Sequence, residues 1–456
     1  MTCERVGASF RDPSGFVFRR DGVLYRLVEA PYREDFERLK SSGLLDELVE
    51  SGLLVDVVEE PAPVGSGAVA LLRPDLVPFI SYPYEWCFSQ LKDAALATLE
   101  IQRRALERGL CLKDASAYNI QFVDGQAMLI DTLSFERYIE GEPWVAYRQF
   151  CRHFLAPLAL MSKVDIRLGG LLREHIDGIP LDLAGRLLPM ATRWKPGLLA
   201  HVHVHGRAEA SSSDRGPGKA PSVSKTAMMG LVESLRGTVE GLSWRPEGTT
   251  WADYYSDTNY TKPAMAAKQE LVDKGLEMLG EGLRTCWDLG ANTGEFSLLA
   301  CARGIRTVAW DLDPAAVERA YLASRRGAQP LLLPLLQDLA NPSPDLGWAS
   351  RERDGLSARG PADVVLALAL VHHLAIGNNV PLPMIAEFLA GVGRNAIMEF
   401  VPKEDSQVKR LLVGRKDVFE LYTQEVWEAA VEPHFEIMER WPIPESRRTL
   451  YVLKGR

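Results

Sequence analysis

The sequence predicts two modules of different class: α/β with a parallel sheet in the C-terminal half, and α+β in the N-terminal half. Three observations carry this. After residue 280, apolar runs alternate with helix-compatible stretches, at Leu283 to Leu289, Ile305 to Trp310, Pro330 to Leu336, Asp363 to Leu370 and Asn395 to Val401. In the first half, hairpin signals centred on Asp21-Gly22 and Asp124-Gly125 are separated by long helical sequence. Between the halves, residues 206–225 turn rich in Ser, Gly and Pro and could bury no core, so they read as a flexible linker. The expected domains are 1–205 and 226–456.

Composition narrows the class. A chain of 456 residues, 46% hydrophobic and 25% charged, is long for a single core and ordinary for a soluble globular protein. The formal charge of −9 argues against general affinity for nucleic acid or an anionic membrane surface. Six cysteines, at 3, 87, 111, 151, 286 and 301, form no C-x-x-C pair and read as reduced, buried thiols. No stretch offers about 18 uninterrupted apolar residues, and Met1 to Asp12 is no secretory signal; the expected location is cytoplasmic.

In chain order, Phe16 to Val28 is two strands around Asp21-Gly22, Arg33 to Ser51 is helical, and Leu53 to Val58 is apolar. Leu91, Ala95, Leu99 and Leu106 share one helical face, which Gly109 terminates. Then come Asp114, Asn119, the Asp124-Gly125 turn and Asp131. An Asp followed five residues later by Asn, then a hairpin, then a second Asp resembles the catalytic loop and metal site of protein and small-molecule kinases. The resemblance implies Asp114 as base, Asn119 and Asp131 as magnesium ligands, and magnesium–ATP as cofactor. The sequence departs from that pattern: Thr132-Leu133 follow Asp131, the first lysine is Lys40, and only Arg26 lies where a phosphate-contacting lysine is wanted. Two readings stay open, an active kinase-like domain and a pseudokinase in which Asp114 and Asn119 only cap turns.

Residues 145–200 read as helical. His201, His203 and His205 alternate with valines and on a strand would share one face; no fourth ligand is evident, and no metal site is assigned. Past the linker, Met228 to Leu235 reads as a helix opening the second module, and the aromatic segment Trp251 to Thr261 as a lid or as sheet packing. Pro263 to Leu279 is a helix leading to the first strand of the sheet.

That strand ends in Asp288-Leu289-Gly290-Ala291-Asn292-Thr293-Gly294, and Glu295 to Ala302 continues as a helix. Strand, glycine turn and helix let backbone N–H groups approach a ligand, and Asp311 ends the next strand where a carboxylate meets a ribose. A pyrophosphate site wants G-x-G-x-x-G; this turn is G-x-x-x-G, with Asp288 placed to repel phosphate and to accept from an ammonium. The motif resembles the first motif of class I S-adenosylmethionine-dependent methyltransferases. That resemblance implies a Rossmann-like seven-stranded domain closed by the late strands Phe435 to Trp441 and Thr449 to Lys454. It implies S-adenosylmethionine held by Asp288, Gly290, Asn292, Gly294 and Asp311, with Asp338 at the adenine.

The strand Asp363 to Leu370 runs into His372-His373, where the methyl acceptor is expected. No Asn/Asp-Pro-Pro-aromatic motif follows, so a neutral histidine taking a proton from the acceptor is the expected catalytic group. The whole chain, including Leu112 to Phe135 and Glu399 to Val408, resembles a family of two-part bacterial methyltransferases, some of whose members carry a nodulation-protein name. The expected acceptor is a small molecule methylated on oxygen or nitrogen. The alternatives are a bifunctional kinase/methyltransferase and an RNA or protein methyltransferase.

Overall fold

The computed structural model describes residues 3–62, 65, 67–207, 222–246, 261–414 and 416–456. The chain forms two compact units: Met1–Arg245 with Leu346–Arg353, and Pro246–Asp345 with Asp354–Arg456. The helix Lys225–Glu240, expected to open the second module, lies in the first unit, where its buried face of Met228, Val232, Leu235 and Val239 packs on the helix Phe88–Glu107. Residues 346–353, read as part of the second module, also fold with the first unit. Most of the expected linker, 208–221, and most of the aromatic segment, 251–260, lie outside the described residues.

The first unit opens with a five-stranded antiparallel sheet built from β1 (Cys3–Arg5), β2 (Gly15–Arg20), β3 (Val23–Val28), β4 (Val57–Glu60) and β5 (Ala70–Pro74), in the order β1-β2-β3-β5-β4. The turn joining β2 to β3 needs two left-handed residues, which Asp21 (φ 51°) and Gly22 (φ 84°) provide. The expected helix over 33–51 is two helices, Arg33–Ser41 and Leu44–Glu50, because Gly43 turns left-handed between them (φ 71°). The long helix Phe88–Glu107 leads to two small antiparallel pairs: β6 (Leu110–Leu112) with β9 (Phe135–Arg137), and β7 (Ile120–Val123) with β8 (Gln126–Leu129). Tyr32 ties the layers together, its hydroxyl donating to the Phe135 carbonyl at 2.6 Å.

The second unit is a seven-stranded sheet: β10 (Thr285–Leu289), β11 (Arg306–Asp311), β12 (Leu332–Leu336), β13 (Ala362–Ala367), β14 (Gly393–Phe400), β15 (Phe435–Pro442) and β16 (Thr449–Gly455). The order is β12-β11-β10-β13-β14-β16-β15, parallel through β14, with β16 antiparallel to β14 and to β15. This is the Rossmann-like arrangement with a late hairpin that the sequence predicts. The strand order reverses between β10 and β13, and such a switch point leaves a crevice at the carboxyl ends of the strands. Cys286, Val364, Leu366 and Ile397 are fully buried against the helices Lys262–Leu279 and Glu295–Ala302, which is why these strands read as unbroken apolar runs. Among the described residues, no helix is long and apolar enough to cross a membrane.

β14 begins at Gly393, where an added Cβ would sit 2.4 Å from Val365 Cγ2 on the neighbouring strand. Gly393→Ala should therefore destabilise the second unit by about 1–3 kcal/mol through overpacking, read as a lower urea midpoint. An unchanged midpoint would contradict that strand contact.

Candidate functional site

Parallel pairing sets the geometry of the second unit's site. Asp288 on β10 lies beside Ala309 of β11 and Leu366 of β13, so the carboxyl ends of β10 and β11 present Asp288 and Asp311 on neighbouring strands. The turn after β10 is pinned when the Gly290 and Ala291 N–H groups both donate to the Trp310 carbonyl, at 2.9 Å each. Gly290, Asn292 and Gly294 all take positive φ (77°, 51° and 84°), and Asn292 then donates its backbone N–H to Asp311 Oδ2 at 2.7 Å. The other Asp311 oxygen accepts the Asp313 N–H at 2.8 Å. Asp313 in turn caps the helix Pro314–Arg326.

Asp288 is 2% exposed, and its Oδ2 accepts from Ser297 Oγ at 2.7 Å. Burial pushes its carboxyl up to about 6, against the Ser297 hydrogen bond and the nearby Lys268, which pull the other way. Asp311 keeps part of its surface open and is also pushed up to about 6, first by burial and against the backbone N–H groups it accepts from. Two carboxylates held near neutrality at adjacent strand tips form a site that favours a cation or a hydrogen-bond donor. Asp338 lies two residues beyond β12, half-buried, its Oδ1 accepting the Ala340 N–H at 2.9 Å, so it caps a local turn.

On the far side of the switch point the chain leaves β13, turns at Ala369 (φ 50°), and delivers His372 and His373 with ring centroids 4.2 Å apart. His372 is fully buried, and among the described residues neither of its ring nitrogens has a hydrogen-bond partner. Burial, reinforced by His373 and Arg448, holds it well below the usual imidazole range. Burial and Arg448 bring His373 down to about 4. Both rings are neutral at pH 7.

Beside them lies a charged group that the sequence reading did not foresee. Glu399, fully buried on β14, pairs with Lys268 at 2.6 Å and with Arg448 at 3.1 Å, and Arg448 also pairs with Asp405 at 2.7 Å. Burial lowers Lys268 despite its partner. Lys268 was findable: Ala264, Lys268, Val272 and Leu276 recur every four residues on the buried face of one helix, so a lysine sits in the apolar stripe. Arg448 falls in an irregular connection with no such signal.

The first unit brings its three expected residues together. Asp114 Oδ1 accepts from the Ser116 N–H at 2.9 Å and from Gln149 Nε2 at 2.8 Å. Burial and then the charge of Asp131 raise its carboxyl. Asn119 Nδ2 reaches Ser134 Oγ at 3.4 Å, and Asp131 accepts from Ser134 Oγ at 2.8 Å and from Arg26 at 3.0 Å. The histidines at 201, 203 and 205 are not on a strand. Leu199–Val204 is a wide helical turn in which His201 bridges Tyr147 (2.8 Å) and Ser234 (2.9 Å), while His203 bonds Thr192 (2.8 Å). The ring nitrogens of His201 and His203 serve as structural hydrogen-bonding groups, and His205 packs its ring on Tyr147.

Against known proteins, the chain is 36% identical over 461 aligned residues to the nodulation protein NoeA of Rhizobium meliloti (strain 1021), covering 99% of this chain and 96% of that one. Solved structures similar to it include the bifunctional kinase-methyltransferase WbdD (12% identity, TM-score 0.32, 47% of this chain and 45% of that chain). Another is magnesium protoporphyrin IX methyltransferase ChlM from Synechocystis PCC 6803 with bound SAM (19% identity, TM-score 0.31, 45% and 89%). No family model matches.

The site makes a pH prediction. A carboxyl raised on folding contributes stability that is fully present below its unfolded value near 3.8 and is lost as pH rises through about 6. Asp288→Asn should therefore gain stability relative to the parent between pH 4 and pH 7, by on the order of a few kcal/mol. Equal pH profiles of the two unfolding curves would refute the buried, strained carboxylate.

Proposed function

The chain belongs to the family of the nodulation protein NoeA, and we propose that it is an S-adenosylmethionine-dependent methyltransferase acting on a small-molecule acceptor. The observation that carries this reading is the pair of raised carboxylates, Asp288 and Asp311, at adjacent strand tips beside the switch point. Asp288, buried, with the Ser297 hydroxyl and backbone N–H and a more distant lysine against it, suits the ammonium of an amino-acid moiety. Asp311, on the neighbouring strand tip, suits the two hydroxyls of a ribose, and Asp338 the exocyclic amine of adenine. Gly290 and Gly294 leave the turn free of side chains where such a ligand would lie. The cofactor supplies an already activated methyl group, so the protein's contribution is mainly to hold the acceptor in line and to exclude water.

His372 and His373, just past β13, provide the acceptor side. A buried neutral imidazole with both nitrogens unused can accept a hydrogen bond from an acceptor hydroxyl or amine and take its proton as the methyl group moves. Burial and the positive charge of Arg448 keep the rings neutral, with Lys268 adding to this at His372 and Glu399 opposing it there. In this reading the N-terminal unit binds the acceptor. The convergence of Asp114, Asn119 and Asp131 is what a second reading, phosphoryl transfer by that unit, would rest on, and the ion pair of Asp131 with Arg26 speaks against it.

Titration of S-adenosylhomocysteine into the full chain tests the site. Asp288→Ala and Asp311→Ala should each weaken binding by about tenfold or more, consistent with loss of a charge-assisted hydrogen bond, without loss of fold. Undiminished affinity in both folded variants would overturn the assignment.

A further inference from the structure

The magnesium ion that the kinase-like loop calls for does not fit the residues around it. Asp131 would be its principal ligand, yet both of its oxygens are engaged. Oδ1 accepts from the Leu133 N–H at 3.2 Å and from Arg26 Nη2 at 3.0 Å, and Oδ2 from Ser134 Oγ at 2.8 Å. The same Arg26 nitrogen bonds Asp12. Asp12 holds the Ser14 N–H at 2.8 Å, and the Ser14 hydroxyl accepts from Lys113 Nζ at 2.5 Å. Asp114 is folded into its own turn by Ser116 and Gln149.

Magnesium demands near-octahedral oxygen coordination at about 2.0–2.1 Å, with ligands free to turn toward it. A guanidinium against the carboxylate denies this twice over. It fills the approach to Oδ1, and it carries a positive charge that cannot be titrated away and that repels a second cation. Arg26 is well placed to stay. It lies on β3, its neighbour Leu27 packs in a cluster with Phe18, Tyr25 and Leu71, and its side chain is only 13% exposed.

We propose that Arg26 is the resident cation of this site: it pairs with both Asp131 and Asp12 in the place of a divalent metal, and the N-terminal unit is a binding module that transfers no phosphoryl group. The proposal is independent of the methyltransferase reading, which concerns other residues in the other unit.

The test uses Mn²⁺ alone as a paramagnetic probe on the full chain, followed by electron paramagnetic resonance. The parent should show no Asp131-dependent site. Removing the fixed charge in Arg26→Met, or in the more conservative Arg26→Gln, should improve Mn²⁺ affinity by about tenfold or more. That gain should vanish again in Arg26→Gln/Asp131→Asn. Mn²⁺ bound by the parent and lost in Asp131→Asn would overturn the proposal, whether or not the arginine variants fold. So would the absence of any gain in arginine variants that melt like the parent.

Discussion

A carboxylate taken out of water has to be balanced or it will not stay ionised, and that constraint organises the second unit. Asp288 and Glu399 lie on β10 and β14, either side of β13, among buried strand residues that are mostly apolar. Glu399 is balanced by two cations from opposite ends of the domain. Lys268 comes from the helix preceding the sheet, and Arg448 from the connection between the last two strands. The antiparallel pairing of β14 with β16, which sets Glu399 beside Leu450, brings Arg448 within reach. Losing either cation would leave the buried Glu399 with one partner where it now has two, which costs more than a surface ion pair contributes.

Asp288 is balanced less completely. It has the Ser297 hydroxyl and the field of Lys268, and its carboxyl rises to about 6 because these fall short of what burial takes away. That shortfall, beside the switch point, is what the proposed cofactor site rests on. The first unit shows the opposite state. Asp131 is already bonded by the Arg26 guanidinium, and its loop is closed by hydrogen bonds from Ser134 and the Leu133 N–H. The two units therefore differ in whether the key carboxylate still lacks a cation, and their proposed roles follow from that difference.

Much of this was legible in the chain. The succession of apolar strands along the chain, the glycine turn with Asp288 and Asp311 beside it, and both Asp-Gly hairpins rest on local signals that each carry their own physical cause, whereas the seven-stranded arrangement rests on the family resemblance. Signals that need three dimensions were not legible. Arg448 sits in an irregular turn, and its partner Glu399 is 49 residues earlier. Helix Lys225–Glu240 reads as an ordinary amphipathic segment, and nothing in its pattern says that its apolar stripe belongs against Phe88–Glu107 in the first unit. The alternation of His201, His203 and His205 with valine suggested a strand, but these residues form a helical turn. There the imidazoles bond to Tyr147, Ser234 and Thr192 from elements distant in sequence.

The most direct test of the central claim is the proton count on ligand binding. Calorimetric titration of S-adenosylhomocysteine at pH 6, in buffers of different ionisation enthalpy, separates binding heat from proton transfer. An ammonium arriving at a half-protonated Asp288 should lower its carboxyl and release a fraction of a proton, and Asp288→Asn should abolish that release. Binding with no proton release, or a release unchanged in Asp288→Asn, would show that the buried carboxylate is not where the ligand's cation lands.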